Sequence, residues 1–362
     1  MATGKYEHLI KPLSIGEMNW DAEKRVPEQP DSLMIGPGNA LREIRLNGRD
    51  HMEGLNLNFS WGIHNGLGDW HSGLDPHVHP YAECLIFVGL DTANIKYLGA
   101  EIDCCLGEEQ ETYTFNEPTL IVIPAGFPHG PISTGRIYSP RGFGFWAVEL
   151  NSESEMTWLG EGVLRLSDGQ RKAAPEGMRF AAAGKILRNK PIPATGKYDH
   201  LVKSLKSFIL IERGEYSSSR FTPEQLAQQE ERSRETGEKL GPGNADHLVW
   251  MSGKDLEGLN ATIVWGFCSR PGIVRRGVGA HVHPVGEILA YVGMNPENMD
   301  DLGAEIEIDL GKEHERHFID KPSVVVCPAG TPHMPQVTRW VDKPYAFLAV
   351  SLSGEHETES VD

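Results

Sequence analysis

Four residues of the kind that bind metal ions occur twice in this chain with the same spacing. The two sets are His77, His79, Glu83 and His129, and then His281, His283, Glu287 and His333. The differences 281 − 77, 283 − 79, 287 − 83 and 333 − 129 all give 204. Three imidazoles and one carboxylate suit a borderline divalent ion such as Fe, Mn, Ni, Co, Cu or Zn. Each set leaves positions open for water or substrate, which is typical of a catalytic rather than a structural site.

The repeat extends well beyond these residues. Residues 2–9 return at 194–201, and the Gly-Pro-Gly-Asn segment at 36–39 returns at 241–244. The offset rises from 192 to 205 between these matches, so the second copy contains an insertion between Leu205 and Gly241. A repeat of this length is too long for a solenoid and indicates a duplicated domain.

Short strands must position the candidate ligands. Apolar segments separated by Gly, Pro, Asp or Asn predict strands at 55–61, 84–88, 100–106, 111–115, 119–123 and 144–150, with repeats from 259–265 to 346–352. His77, His79 and Glu83 share one parity and would face one side of a continuous strand. His129 follows a turn-forming segment, from which a neighbouring strand can deliver it to the same ion.

One helix is predicted in the insertion, at 223–236. Thr222 is a candidate N-cap, Pro223 occupies the first helical position, and Gln225 completes a capping box. Its polar sequence favours a surface element, and an interface or lid is the alternative. The stretch 151–194 has few strand patterns, and the acidic tail 354–362 is expected to be disordered.

Composition narrows the function classes. A chain of 362 residues accommodates two domains of ordinary size, each with its own core. The net charge of −17 argues against a nucleic-acid partner. No apolar run approaches the roughly 20 residues of a membrane span, and residues 1–15 lack a signal pattern. Five cysteines without paired spacing make a reducing, cytoplasmic location the expectation.

The chain resembles the cupin superfamily, and specifically the bicupins. Their first motif, His-x-His followed by Glu and then Gly, matches 77–89 and 281–293, and their second motif, Pro-x-Gly-x-x-His, matches 124–129 and 328–333. The resemblance implies an all-β fold of two tandem jelly-roll barrels, also called double-stranded β-helices, with a few peripheral helices and one divalent metal ion per barrel. The expected division is an N-terminal module at 1–150, a connecting segment at 151–193, a C-terminal module at 194–353 and the tail.

The two copies differ just before the first motif. The second copy has Arg270, Arg275 and Arg276 there, whereas the first has His64 and His71. A guanidinium near an open metal site would hold a carboxylate substrate, which favours the second site for such a substrate. A solvated basic loop is the alternative interpretation.

Four further residues adjoin the motifs. Tyr81 and Tyr291 have inward parity and are candidate acid, base or positioning groups, although filling of the barrel core explains them equally well. Cys84 and Cys327 have the opposite parity and are interpreted as small core residues.

Three function classes remain open. A non-haem Fe(II)-type oxygenase acting on a small organic acid or an enol-type or aromatic substrate is narrowly preferred, because the resembled family often uses this ligand set for such reactions. The first alternative is a redox-neutral decarboxylase, lyase or isomerase that uses the metal as a Lewis acid. The second is a non-catalytic ligand-binding protein. We expect a small-molecule substrate, no nucleic-acid or membrane partner, and a monomer or homodimer.

Overall fold

The computed structural model describes residues 4–16, 40–70, 76–159, 179–182, 190–217, 242–274 and 279–361, together with residues 224, 227, 228, 231, 234 and 235. Chain contacts divide the protein into two compact units. The first unit is Gly16–Ser204, and the second unit combines Met1–Ile15 with Leu205–Asp362.

The first unit consists of two sheets. Its six-stranded sheet has the order Val202–Ser204, Thr119–Ile123, Glu83–Gly89, Phe143–Glu149, Asn58–His64 and Ala40–Leu46. The opposing sheet has the order Arg179–Ala182, Glu155–Trp158, His77–Val78, His129–Ile137, Ala100–Leu106, Glu111–Phe115 and Ile192–Pro193, with Gly68–Asp69 paired to His129–Ile137. Neighbouring strands in the six-stranded sheet are all antiparallel, as expected for a jelly roll.

The second unit repeats this arrangement. One sheet has the order Ile10–Pro12, Ser323–Cys327, Glu287–Gly293, Tyr345–Ser351, Thr262–Cys268, Ala245–Met251, Ile209–Glu212 and Glu215–Tyr216. The other has the order Glu315–Ile319, Ala304–Leu310, His333–Val341, His281–Val282 and Glu359–Ser360, with Gly272–Ile273 paired to His333–Val341.

Helices are short and peripheral in the described residues. The α-helix Gly48–His51 begins at Asn47, whose side chain accepts the backbone N–H of Asp50. The 3-10 turns are Glu7–Leu9, Leu13–Gly16, Asp199–Leu201 and Leu205–Phe208. Residues 224, 227, 228, 231, 234 and 235 are helical and exposed, while the ends of the predicted helix lie outside the described residues. None of the described helices is long and apolar enough to cross a membrane.

The central strands of both units are buried along their whole length. Glu83–Gly89 and Phe143–Glu149 have no exposed position, and neither do Glu287–Gly293 and Tyr345–Ser351. Because both faces of these strands are buried, their sequences are nearly continuous apolar runs. The structure therefore confirms the predicted all-β class, and three predicted strands, 100–106, 111–115 and 119–123, have the predicted bounds.

The first residues of the chain belong to the second unit. Strand Ile10–Pro12 pairs with Ser323–Cys327, and Lys5 and Tyr6 both bond the carboxylate of Glu313. In the first unit, Lys197 and Tyr198 bond Glu109 in the same way. The first residues of each expected module, 1–150 and 194–353, thus pack on the other half of the chain.

Three local predictions need correction. The strand expected at 55–61 begins at Asn58, because Leu55 and Leu57 form a turn after the short helix. Strand Glu155–Trp158, within the expected connecting segment, pairs with His77–Val78. The tail is ordered through residue 361, because Glu359–Ser360 pairs with the edge strand His281–Val282, whose backbone groups need partners.

Candidate metal centres

The two sheets of the first unit together assemble its four candidate ligands. His77 lies directly opposite His129 in one sheet, while Glu83 begins a strand of the other. The ring centroid of His77 is 5.0 Å from that of His79 and 4.1 Å from that of His129. Glu83 Oε2 lies 3.6 Å from His79 Nε2 and 3.4 Å from His129 Nε2. We call this group the first site.

The second unit builds the same arrangement, the second site. His281 lies opposite His333, with ring centroids 4.5 Å apart, and His281 and His283 are 4.9 Å apart. Glu287 Oε2 is 3.4 Å from His283 Nε2 and 3.2 Å from His333 Nε2. In both histidine triads, the ligand nitrogens lie within 4.8 Å of one another, which is close enough to bind one metal ion. The structure thus brings together the eight residues that the sequence predicted, as two groups of four.

Backbone carbonyls orient the imidazole rings. The Nδ1–H groups of His79 and His283 donate to the carbonyls of Glu155 and Glu357, both at 2.6 Å. His129, His281 and His333 make the same kind of bond to residues two positions earlier. In each of these rings the Nδ1–H bond fixes the tautomer, so Nε2 is the nitrogen that can bind an ion.

The donor atoms fit a divalent metal ion. Glu83 Oε2, His283 Nε2 and His333 Nε2 are buried and make no hydrogen bond within the described residues. A buried polar atom without a partner costs about 1–3 kcal/mol, which coordination to a cation would offset. Each unit therefore has a buried site of three histidines for one divalent metal ion, with a glutamate carboxylate beside them.

The carboxyl ligands and His281 have the ionisation that metal binding needs, whereas His333 must lose a proton: burial lowers its pKa, but Cys327 and Glu287 outweigh burial and raise the pKa to about 11. Burial raises the pKa of Glu83, but His79, His129 and His77 outweigh it and hold the pKa at about 2. Glu287 behaves in the same way, with its pKa held well below the usual range by His283 and His333 against the effect of burial. Burial and the neighbouring His333 lower the pKa of His281 to about 4. Ionised carboxylates and a neutral imidazole are the forms that coordinate a cation.

A buried polar network adjoins the first site. The ring of Tyr81 stacks on His79 with centroids 5.2 Å apart, and its hydroxyl donates to Glu149 Oε2 at 2.8 Å. Glu149 lies opposite Glu83 in the strand pairing and forms an ion pair with Arg45. Arg45 also donates to Ser154 Oγ at 2.7 Å. Burial and the charge of Glu149 raise the pKa of Tyr81 well above its usual value, so the phenol keeps its proton.

The second site has a different environment. Ser351 lies opposite Glu287, where the first site has Glu149, and Trp250 occupies the strand position of Arg45. His356 lies beside His283, with ring centroids 4.7 Å apart. Cys327 lies opposite Glu287, on the inward face of its sheet, so the outward position predicted for it is wrong. Parity within one strand cannot fix the face of the next strand, whose register is set by pairing.

The remaining predicted candidates lie elsewhere. Arg270 is 55% exposed at its side chain and pairs with Asp246 beyond Cys268, the end of its strand. The metal-site end of that strand is Thr262, so Arg270 is not brought to the second site. Arg275, Arg276 and His71 lie outside the described residues.

Two other candidates fill the interiors of the barrels. Tyr291 is fully buried and donates to Gln336 at 3.0 Å. His64 stacks on Trp70, with ring centroids 3.9 Å apart, in an aromatic cluster with Phe143 and Phe145. Neither belongs to a metal-binding group formed by the described part of the chain.

Sequence reasoning missed Arg45, Glu149 and His356. Arg45 and Glu149 lie 104 residues apart and meet only through strand pairing. His356 lies in the tail that was expected to be disordered. Its one sequence signal was the presence of a histidine in an otherwise acidic segment.

Comparison with known proteins identifies the fold. No family model and no curated protein matches the chain. A point mutant of the oxalate decarboxylase of Bacillus subtilis is 12% identical, with a TM-score of 0.54, covering 91% of this chain and 78% of that one. The oxalate decarboxylase of Lactobacillus farciminis in its formate complex is 13% identical, with a TM-score of 0.51. The match covers 99% of this chain and 90% of that one.

A third structure has a title that names its metal. It is a B. subtilis oxalate decarboxylase described through its Mn(II) centres, 11% identical with a TM-score of 0.50, covering 91% of this chain and 78% of that one. Identity this low establishes the fold and nothing finer. The chain has the bicupin fold, and the resemblance of its motifs to bicupins is confirmed at that level.

Proposed function

We propose that this protein is a metal-dependent decarboxylase that acts on a small carboxylic acid of the oxalate type without net oxidation. The observation that carries the proposal is the buried set of three histidines and one glutamate in a bicupin fold whose solved neighbours are oxalate decarboxylases. These neighbours favour the redox-neutral alternative over the oxygenase that the sequence narrowly preferred.

The ligand charges suit this chemistry. One carboxylate and three neutral imidazoles leave a bound divalent ion with a net positive charge, which attracts a carboxylate to an open position. When bound, the ion supplies a Lewis acid that polarises the substrate. Loss of CO2 from R–CO2⁻ leaves its electron pair on the remaining carbon, which then takes up one proton to give R–H. The environment of the substrate must supply that proton.

We propose that the reaction takes place at the first site. Arg45 balances part of the charge of Glu149 and Glu43, so the approach of an anionic substrate to Glu83 is less unfavourable. The protonated phenol of Tyr81 lies beside His79 and is held by Glu149 and the backbone N–H of Glu155. We propose Tyr81 as the group that positions the substrate or its proton. The aromatic cluster of His64, Trp70, Phe143 and Phe145 occupies the barrel interior and favours a small substrate.

The test combines product analysis with gas exchange. Protein reconstituted with Mn(II) or another divalent ion is incubated with oxalate and a panel of small acids, while CO2, formate and O2 are measured. We expect one CO2 and one formate per oxalate consumed, with no net O2 consumption. O2 consumption equal to product formation would instead support the oxygenase. Ligand binding without turnover would support a binding protein.

A pair of ligand variants assigns the reaction to a site. His79→Ala and His283→Ala should each lower the metal content by one ion per chain, from two to one. Because the first site is proposed to react, turnover should be lost in His79→Ala and retained in His283→Ala. The reverse result would assign the reaction to the second site, which the sequence favoured because of Arg275 and Arg276.

A further inference from the structure

The C-terminal segment after strand Tyr345–Ser351 passes beside the second site and is held there by hydrogen bonds. Gly354 N–H donates to the side chain of Asn260, and the Glu357 carbonyl accepts the Nδ1–H of His283. Strand Glu359–Ser360 then pairs with His281–Val282, and Val361 N–H donates to the Ala280 carbonyl. His356 is therefore held from both sides by backbone contacts next to the metal ligands.

The imidazole of His356 has the position of a further ligand. Its ring is half-buried, 4.7 Å from the ring of His283 and 4.9 Å, edge to face, from that of Trp250. A ligand atom of His356 lies within 4.8 Å of ligand atoms of both His283 and Glu287. Two nitrogen ligands on opposite sides of one ion lie roughly 4.2 Å apart, at about 2.1 Å each from the metal. A limit of 4.8 Å is close to that separation, so a small side-chain movement would let His356 reach an ion held by His283 and Glu287.

Among the described residues, the first site has a serine rather than a histidine at the corresponding place. The carbonyls that hold His79 and His283 belong to Glu155 and Glu357, so Ser154 corresponds to His356. The Ser154 hydroxyl accepts a hydrogen bond from Arg45 and contacts Tyr81. The two matching ligand sets therefore differ by one imidazole in their immediate surroundings.

We propose that His356 is an additional ligand of the second metal ion, so that four histidines and Glu287 hold it. An ion with five protein ligands has one open position fewer than the ion in the first site. The second site would then bind its metal more tightly and be less open to substrate. The assignment concerns metal binding and holds whether or not the proposed decarboxylase activity is found.

The test isolates the second site in the full chain. In a His79→Ala background, which disrupts the first site, competition with a chelator measures the affinity of the second site for Mn(II). We expect His356→Ala to weaken that affinity by more than about tenfold, since even partners outside the ligand set change affinity by that factor. Pulsed electron paramagnetic resonance should count one fewer nitrogen ligand to Mn(II) in the variant.

A matched variant separates coordination from folding. Glu355→Ala, an exposed neighbour in the same segment, should leave affinity and nitrogen count unchanged. Reduced affinity with an unchanged nitrogen count would show that His356 acts only by supporting His283, and would overturn the proposal. Unchanged affinity would overturn it as well.

Discussion

Two tyrosines of the first unit make the same hydrogen bonds in different places. Tyr81 donates to Glu149 and accepts the backbone N–H of Glu155, both at 2.8 Å. Tyr113 donates to Glu111 at 3.0 Å and accepts the backbone N–H of Tyr198 at 2.8 Å. Of the two, Tyr81 stacks on His79, so the pair allows the hydroxyl that we propose to be functional to be compared with a structural one.

Tyr81→Phe and Tyr113→Phe should each lower the free energy of unfolding by about 1–2 kcal/mol, because each leaves a buried N–H without its acceptor. Only Tyr81→Phe should also reduce kcat/KM in the decarboxylase assay. Denaturant unfolding and steady-state kinetics measure the two effects. An equal kinetic effect of both substitutions would mean that the Tyr81 hydroxyl serves only the fold.

The carboxyl ligand of the first site should make the metal-free protein sensitive to acid. The folded-state pKa of Glu83, about 2, lies below the ordinary value of 4.5. Its contribution to stability is therefore complete above about pH 4.5 and is lost as the pH falls towards 2. In metal-free protein, the difference in Tm between the wild type and Glu83→Gln should narrow over this range. A difference that stays constant from pH 6 to 3 would contradict this.

The glycine that closes the first motif is explained by the geometry of its strand. A Cβ on Gly89 would lie 1.8 Å from the Tyr97 carbonyl oxygen, and one on Gly293 would lie 1.9 Å from that of Asp301. The chain therefore passes too close to the next loop for any side chain at the end of this strand. The contact is with backbone, which cannot move aside as a side chain can.

Gly89→Ala should destabilise the protein by about 2 kcal/mol or more, because the added methyl group must displace backbone. Gly135→Ala is the matched control in the same unit, since its Cβ would meet nothing closer than 3.7 Å. Chemical denaturation measures both. A destabilisation by Gly135→Ala as large as that by Gly89→Ala would attribute the effect to glycine replacement in general.

At the scale of the whole molecule, the first strand of each expected module pairs with a strand from the other half of the sequence. Strand Ile10–Pro12 pairs with Ser323–Cys327, and Val202–Ser204 pairs with Thr119–Ile123. The ring of Tyr6 lies over Gly311, and that of Tyr198 over Gly107, where an added Cβ would fall 2.0 and 2.4 Å from the nearest atoms of the respective rings. Each unit is thus completed by residues from the other half of the sequence.

Deletion of residues 1–15 should therefore loosen the second unit. The deletion removes the edge strand and the Tyr6 contact, so hydrogen exchange should accelerate in Ser323–Cys327. Thr119–Ile123, in the first unit, should keep its protection. Faster exchange in Thr119–Ile123 instead would support the contiguous modules that the sequence suggested.

The sequence by itself determined the candidate ligands, the duplication and the all-β class. These follow from local information: the spacing of His77, His79 and Glu83, the equal offset of 204, and apolar strands bounded by turn residues. Short spacings survive folding because a strand or turn fixes the directions of nearby side chains.

Only the tertiary structure decided what surrounds each metal site. Arg45 reaches Glu149, and Cys327 faces Glu287, through the register of strands that are distant in sequence. His356 reaches His283 because an acidic tail supplies backbone partners to an edge strand. Register and edge pairing depend on the whole sheet, so no local pattern in the sequence contains them.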